Sequence, residues 1–162
     1  MKLVIMTKST FFVEEDKILT TLFDEGMDNL HLFKPGSTPL YAERLLSLIP
    51  EDYYRKITVH DHFYLKNEYD LAGIHLDSAD TEIPNNYKGK IGRTCTDIQM
   101  LKEMKKKSSC VFLKNIFDCI EFSEEKKTFT QQQLEDAADK GLIDRHVYAL
   151  GGMSLDNIRM AK

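Results

Sequence analysis

The sequence predicts a parallel α/β fold, and three observations carry that reading. Seven short apolar runs alternate with segments of helical periodicity, one run every 20 to 30 residues or so. None of the runs alternates strictly between apolar and polar, as a strand of a one-sided antiparallel sheet does. Ionisable residues collect just after the runs, where parallel α/β folds carry their chemistry.

The elements follow in order. Lys2–Met6 is an apolar run bounded by polar residues, read as a buried strand. Glu14 to Glu25 places Ile18, Leu19, Leu22 and Phe23 at helical spacing, with acids near its start and Gly26 past its end. Asn29–Phe33 is the second strand, closed by the turn signal Lys34-Pro35-Gly36. Pro39 opens a helix with Leu45, Leu46 and Ile49 on one face, and Pro50 stops it. Lys56–Val59 and Leu71–Leu76 are the third and fourth strands, with room between them for about two to three helical turns. After a loop over 85–89, Lys90–Thr94 is the fifth strand. Thr96 or Asp97 caps a helix through Lys107, and Lys105–Lys107 suits its C-terminal end as a solvated terminus. Cys110–Phe117 holds the sixth strand, and Phe122–Phe129 is a long polar loop. Thr130 and Gln133 form a capping box for a helix through Lys140, ended by Gly141. His146–Leu150 is the seventh strand, Gly151-Gly152 a tight turn, and Ser154 the start of a last helix.

A (β/α)8 TIM barrel usually needs ~250 residues and can be built from ~200. At 162 residues, ending inside the seventh helical stretch, the chain reads as a single barrel domain over residues 1–162 that lacks its eighth strand–helix unit. Such a barrel leaves the Lys2–Met6 and His146–Leu150 edges unpaired, and a homodimer covering that seam is the expected remedy.

A net charge of −4 argues against a nucleic-acid surface. No apolar run approaches the ~20 residues of a membrane span, and no signal-peptide pattern opens the chain, so the expected location is cytoplasmic. Cys95, Cys110 and Cys119 are odd in number without C-x-x-C spacing and read as buried thiols.

The chemistry concentrates between Ile57 and Asp80. His60, Asp61 and His62 follow the third strand; His75, Asp77 and Asp80 lie around the end of the fourth. A right-handed crossover between parallel neighbours brings both clusters to one sheet edge. Converging carboxylates there suit Mg²⁺, a hard cation that takes few protein ligands. His60, His62 and His75 also invite a zinc reading, but His75 on an inward strand position is more often a hydrogen-bonded core histidine.

The ordered set LHLFKPG, VHDH, AGIHLDSAD, IGRTCTD, FLKNIFD and YALGGMS resembles the thiamine phosphate synthase family, including its thiazole tautomerase relatives. The resemblance runs from Lys2 to the end of the chain. It implies a (β/α)8 barrel that couples a pyrimidine diphosphate to a thiazole phosphate with release of pyrophosphate. It also implies Mg²⁺ on Asp61 and Asp80, with His60 in place of the family Asn. His31 stands near a pyrimidine-contacting Gln, Phe33 replaces an Arg, and Lys34 is the nearby cation. Thr94 keeps the hydroxyl of a family Ser. Lys114-Asn115 replaces a Gly-Pro, and Lys126 and Lys127 lie in the region of a family Lys. Gly151 and Gly152 match the diglycine that faces the thiazole phosphate.

Gly92-Arg93-Thr94 resembles the tautomerase branch, whose proton-transfer His position holds Thr96 here. Three functions therefore stay open: the synthase, an isomerase of the tautomerase type, and a non-catalytic phosphate-ligand-binding barrel. The implied partners are small phosphorylated pyrimidine and thiazole substrates.

Overall fold

The structure, a computed structural model, describes residues 2–119 and 124–159. The chain forms two compact units: Met1–Leu76 with Asp80–Lys90, and Asp77–Ala79 with Ile91–Lys162.

In the first unit, strands β1 (Ile5–Met6), β2 (Leu30–Leu32), β3 (Ile57–Val59) and β4 (Gly73–Leu76) pair in sequential order, each parallel to the next. The register sets Leu30 against Ile57, His31 against Thr58 and Val59 against Ile74. Leu30, Leu32, Ile57, Val59, Ile74 and Leu76 are all buried. Successive strand residues point to opposite faces, so His31, Thr58, His60 and His75 share the other one. Both faces being largely covered is why these strands read as continuous apolar runs. Helix α1 (Glu15–Asp24) buries Leu19 and Phe23, and α2 (Pro39–Leu48) buries Ala42, Leu45 and Leu46. Pro39 sits in the first turn of α2, where a missing N–H costs nothing.

Three expectations for this unit change. Strand β1 is confined to Ile5–Met6 instead of starting at Lys2. A 3-10 turn over Glu51–Lys56 fills the gap before β3. Helix α3 is a single turn, Leu65–Glu68, where two to three turns were expected. His62 and Asp70 both adopt left-handed backbone, with φ of 51° and 50°, and these bracket the short helix. Arg55 donates from both Nε and Nη2 to Asp70 Oδ2, pinning that second turn.

In the second unit, β5 (Lys90–Cys95, whose first residue belongs to the first unit), β6 (Cys110–Leu113) and β7 (Val147–Ala149) are parallel and sequential. Cys95, Leu101, Val111, Leu113 and Ile116 form the core, with Met104, Phe129, Leu134 and Val147 packed on it. A 3-10 turn (Ile98–Met100), capped by the Asp97 carboxylate, leads into α4 (Leu101–Lys106). Lys105 is not simply solvated, since its ammonium donates to the carbonyls of Gly141 and Leu142 and to Asp144. Helix α5 (Gln131–Asp139) starts at the expected Thr130–Gln133 capping box, and Gly141 beyond it has φ 69°.

Strand β6 stops at Leu113 rather than Phe117, because Asn115 turns the chain at φ 66°. Of the expected 122–129 loop, residues 122 and 123 lie outside the described residues. The rest folds back on the turn after β6, where Thr128 N–H donates to the Asn115 carbonyl and Lys127 N–H to Asp118. Of the helix expected from Ser154, the described residues 155–159 form a turn, and residues 160–162 lie outside the described residues. The Asn157 side chain accepts from Ser154 N–H and donates to the Gly152 carbonyl, closing the segment on itself.

Among the described residues there are seven strands, one fewer than a full eight-stranded barrel holds. No helix among them is long and apolar enough to cross a membrane.

Candidate functional site

The first unit places three imidazoles together at the sheet. His31 on β2, His60 just after β3 and His75 on β4 are buried to 4%, 5% and 0% exposure. His31 Nδ1 lies 2.8 Å from His60 Nε2, and one of the two nitrogens carries the shared proton. The His60 and His75 rings stack, with centroids 4.4 Å apart and planes 20° from parallel, while His31 meets both edge-on. Phe33 closes the cluster, edge-on to His60 at 5.4 Å. Burial, and then the neighbouring His60, hold the His31 pKa down at about 3, so His31 is neutral at ordinary pH.

Beside this cluster, Lys34 is 1% exposed. Its ammonium donates to Glu15 Oε1 at 2.6 Å and to the carbonyls of Lys8 and Thr10 at 2.9 Å each, and it lies 4.6 Å from the Phe11 ring centre. All three of its donors are therefore used inside the chain. The Lys34 backbone N–H reaches Asp61 Oδ2 at 3.3 Å. Asp61 is half-buried at the carboxyl end of β3, and Asp80 is exposed in the turn after β4. These acids follow two hydrogen-bonded neighbouring strands. His62, expected near the metal, turns to the Ser37 carbonyl at 2.9 Å and ties the loop after β3 to the one after β2.

In the second unit, Thr94 on β5 donates from its hydroxyl to Asp77 at 3.3 Å. Lys114, just past β6, pairs with Glu125 at 2.6 Å, and both side chains are partly buried. Gly151 and Gly152 follow β7 with φ of 97° and 60°. A Cβ on Gly152 would clash with the Asp118 carbonyl oxygen, and one on Gly151 would sit 3.1 Å from the Asn115 nitrogen. The diglycine is thus required both by its left-handed backbone and by the close approach of the chain after β6. Ser154 N–H is given to Asn157, and no helix N-terminus follows the diglycine among the described residues. The three cysteines form no disulfide among the described residues; Cys95 is buried, which pushes its thiol pKa up, whereas Cys110 and Cys119 are half-buried rather than buried as expected.

Two features of this site were not read from the sequence. His31 joins His60 and His75, a meeting set by strand register and visible only once β2, β3 and β4 are aligned. Glu15 carries no signal of its own, being one of several acids near the start of a helix.

No protein-family model matches the chain, and no curated protein does. Among solved structures, the chain is similar to the crystal structure of thiamine phosphate pyrophosphorylase from Bacteroides thetaiotaomicron. The two share 44% identity over 98% of this chain and 76% of that one, with a TM-score of 0.86.

Proposed function

Because this chain belongs to the thiamine phosphate pyrophosphorylase family, we propose that it couples a pyrimidine diphosphate to a thiazole phosphate and releases pyrophosphate. The extent of that likeness is the observation that carries the reading. The enzyme is a transferase of thiamine biosynthesis. The strand order within each unit is that of a (β/α)8 barrel, which supports reading the chain as seven of that fold's eight strand–helix units.

In the reaction the bond from the pyrimidine's methylene carbon to the diphosphate oxygen breaks, and its electron pair leaves with pyrophosphate. The thiazole nitrogen then supplies the pair for the new C–N bond. No side-chain nucleophile is needed, so the protein's work is placement and charge stabilisation.

Asp61 and Asp80 fit Mg²⁺ in donor chemistry: both are carboxylates, one half-buried and one exposed, following adjacent strands. Bound there with the substrate's phosphates, Mg²⁺ would neutralise charge on the departing pyrophosphate. Lys34 serves in this reading chiefly through its backbone N–H to Asp61, since its ammonium is held by Glu15. His31, held neutral by burial, and the buried His60 supply a floor for the pyrimidine ring. Thr94, held by Asp77, offers a fixed hydroxyl, while the Gly151-Gly152 backbone, with Lys114 nearby, binds the thiazole phosphate.

The test is direct. Pyrimidine diphosphate and thiazole phosphate are incubated with the protein, with Mg²⁺ or with EDTA. One thiamine phosphate and one pyrophosphate per turnover are expected with Mg²⁺, and neither with EDTA. Absence of product with Mg²⁺ would overturn the proposal, and turnover of thiazole carboxylate without pyrophosphate would point to the isomerase reading.

A further inference from the structure

We propose that His31, His60 and His75 form a binding site for one divalent transition-metal ion of the zinc class, separate from the carboxylates assigned to Mg²⁺. One ring nitrogen from each residue lies within 4.8 Å of the other two, and all three side chains are buried. Zinc–imidazole bonds of about 2.0–2.1 Å at tetrahedral angles put ligand nitrogens roughly 3.3 Å apart. The 2.8 Å between His31 Nδ1 and His60 Nε2 and the 4.8 Å outer limit bracket that spacing. Closing on an ion is therefore a matter of about 1.5 Å or less per pair.

Two adjustments complete the site. The proton shared between His31 and His60 moves to the outer nitrogen of its own ring, leaving both facing nitrogens with free lone pairs. One of the stacked rings, His60 or His75, turns about χ2, a broad and soft torsion, so that both lone pairs aim at one point.

The donor set selects the metal. Imidazole suits zinc, cobalt and nickel, whereas Mg²⁺ prefers oxygen. Three protein ligands leave a fourth position for water or an anion. Rigid strands supply two of the ligands, His31 and His75, and His60 follows β3 directly, with its N–H on the Leu32 carbonyl.

Co²⁺ alone is the probe, because four-coordinate cobalt with nitrogen ligands absorbs strongly in the visible. Titration of the full chain is expected to give that band with an end point of one Co²⁺ per chain. His31→Gln and His75→Gln should each weaken it by at least the roughly 10–100-fold that losing even an outer partner costs. Asp61→Asn and Asp80→Asn should leave it unchanged. X-ray absorption on the unmodified protein with Co²⁺ counts ligands without any substitution, and three imidazoles are expected. The proposal is overturned by the absence of the band, by a band that survives both histidine substitutions, by loss of the band in Asp61→Asn, or by an oxygen-only shell. If the histidine variants fail to fold, the ligand count on the unmodified protein decides. None of these readings depends on turnover, so failure here leaves the synthase proposal standing and the reverse also holds.

Discussion

Lys34 Nζ lies 2.6 Å from Glu15 Oε1, and the two side chains keep 1% and 4% of their exposure. The pair joins the segment after β2 to the first turn of α1, and the two carbonyl bonds of the ammonium satisfy its remaining donors. Glu15 Oε2 is buried without a hydrogen-bond partner, so the acid depends on Lys34. Breaking such a pair leaves an uncompensated buried charge, while replacing both partners removes the charge altogether.

Lys34→Met is therefore expected to cost about 3–5 kcal/mol of folding stability, and Glu15→Leu a comparable amount. The double variant Lys34→Met/Glu15→Leu should lose much less than the sum. Urea unfolding of the four proteins forms a double-mutant cycle. Single-variant losses under about 1 kcal/mol would mean that the pair contributes no more than a surface one.

Asp61→Asn separates chemistry from packing. The contact shown for the Asp61 carboxylate is a long one from Lys34 N–H, so the stability loss should stay within about 1 kcal/mol. Turnover with Mg²⁺ should fall about 100- to 1000-fold, as expected when one transition-state charge stabiliser is removed. Melting and activity are measured on the same preparation. A large melting shift with turnover kept would make Asp61 a structural cap.

Acid should unfold the protein partly through His31. Its folded pKa, about 3, lies below the unfolded value of 6.5. Between those values the unfolded chain binds more protons, so stability rises with pH there and is lost as pH falls. This one group contributes up to about 1.4 kcal/mol per pH unit in that window and nothing above it. His31→Gln should flatten the pH dependence of the urea midpoint between pH 6 and 4 (roughly the accessible part of the window). An unchanged slope would show that His31 protonates in the folded state.

Gly152→Ala and Gly141→Ala share a left-handed backbone but differ in surroundings. At Gly141, φ 69°, an added Cβ meets nothing within 4 Å, and about 1–2 kcal/mol is expected. At Gly152, φ 60°, it meets the Asp118 carbonyl, so the turn must move. Gly152→Ala should cost more and also raise KM for the thiazole phosphate, which Gly141→Ala should leave alone. Equal losses and equal KM values would remove the case for a tight turn against the β6 loop.

The sequence by itself determined the alternation of strands and helices, the parallel class, the Thr130–Gln133 cap, the Pro39 helix start and the strand-end acids. These depend on periodicity and on contacts a few residues long, so they are written locally. Strand ends were less exact: β6 stopped at Leu113 because Asn115 turned, and α3 shrank between His62 and Asp70, both conformations that residue type only weakly signals. Tertiary structure alone decided which residues meet. Register across β2, β3 and β4 brought His31 to His60 and His75 and left His62 at the Ser37 carbonyl. Burial turned Lys34 from a free cation into the partner of Glu15. Asn157 closed the Ser154 segment into a turn where a capped helix was expected. Each of these outcomes hangs on distances between residues far apart in the chain, and a buried charge or imidazole takes whichever partner the packed strands bring within reach.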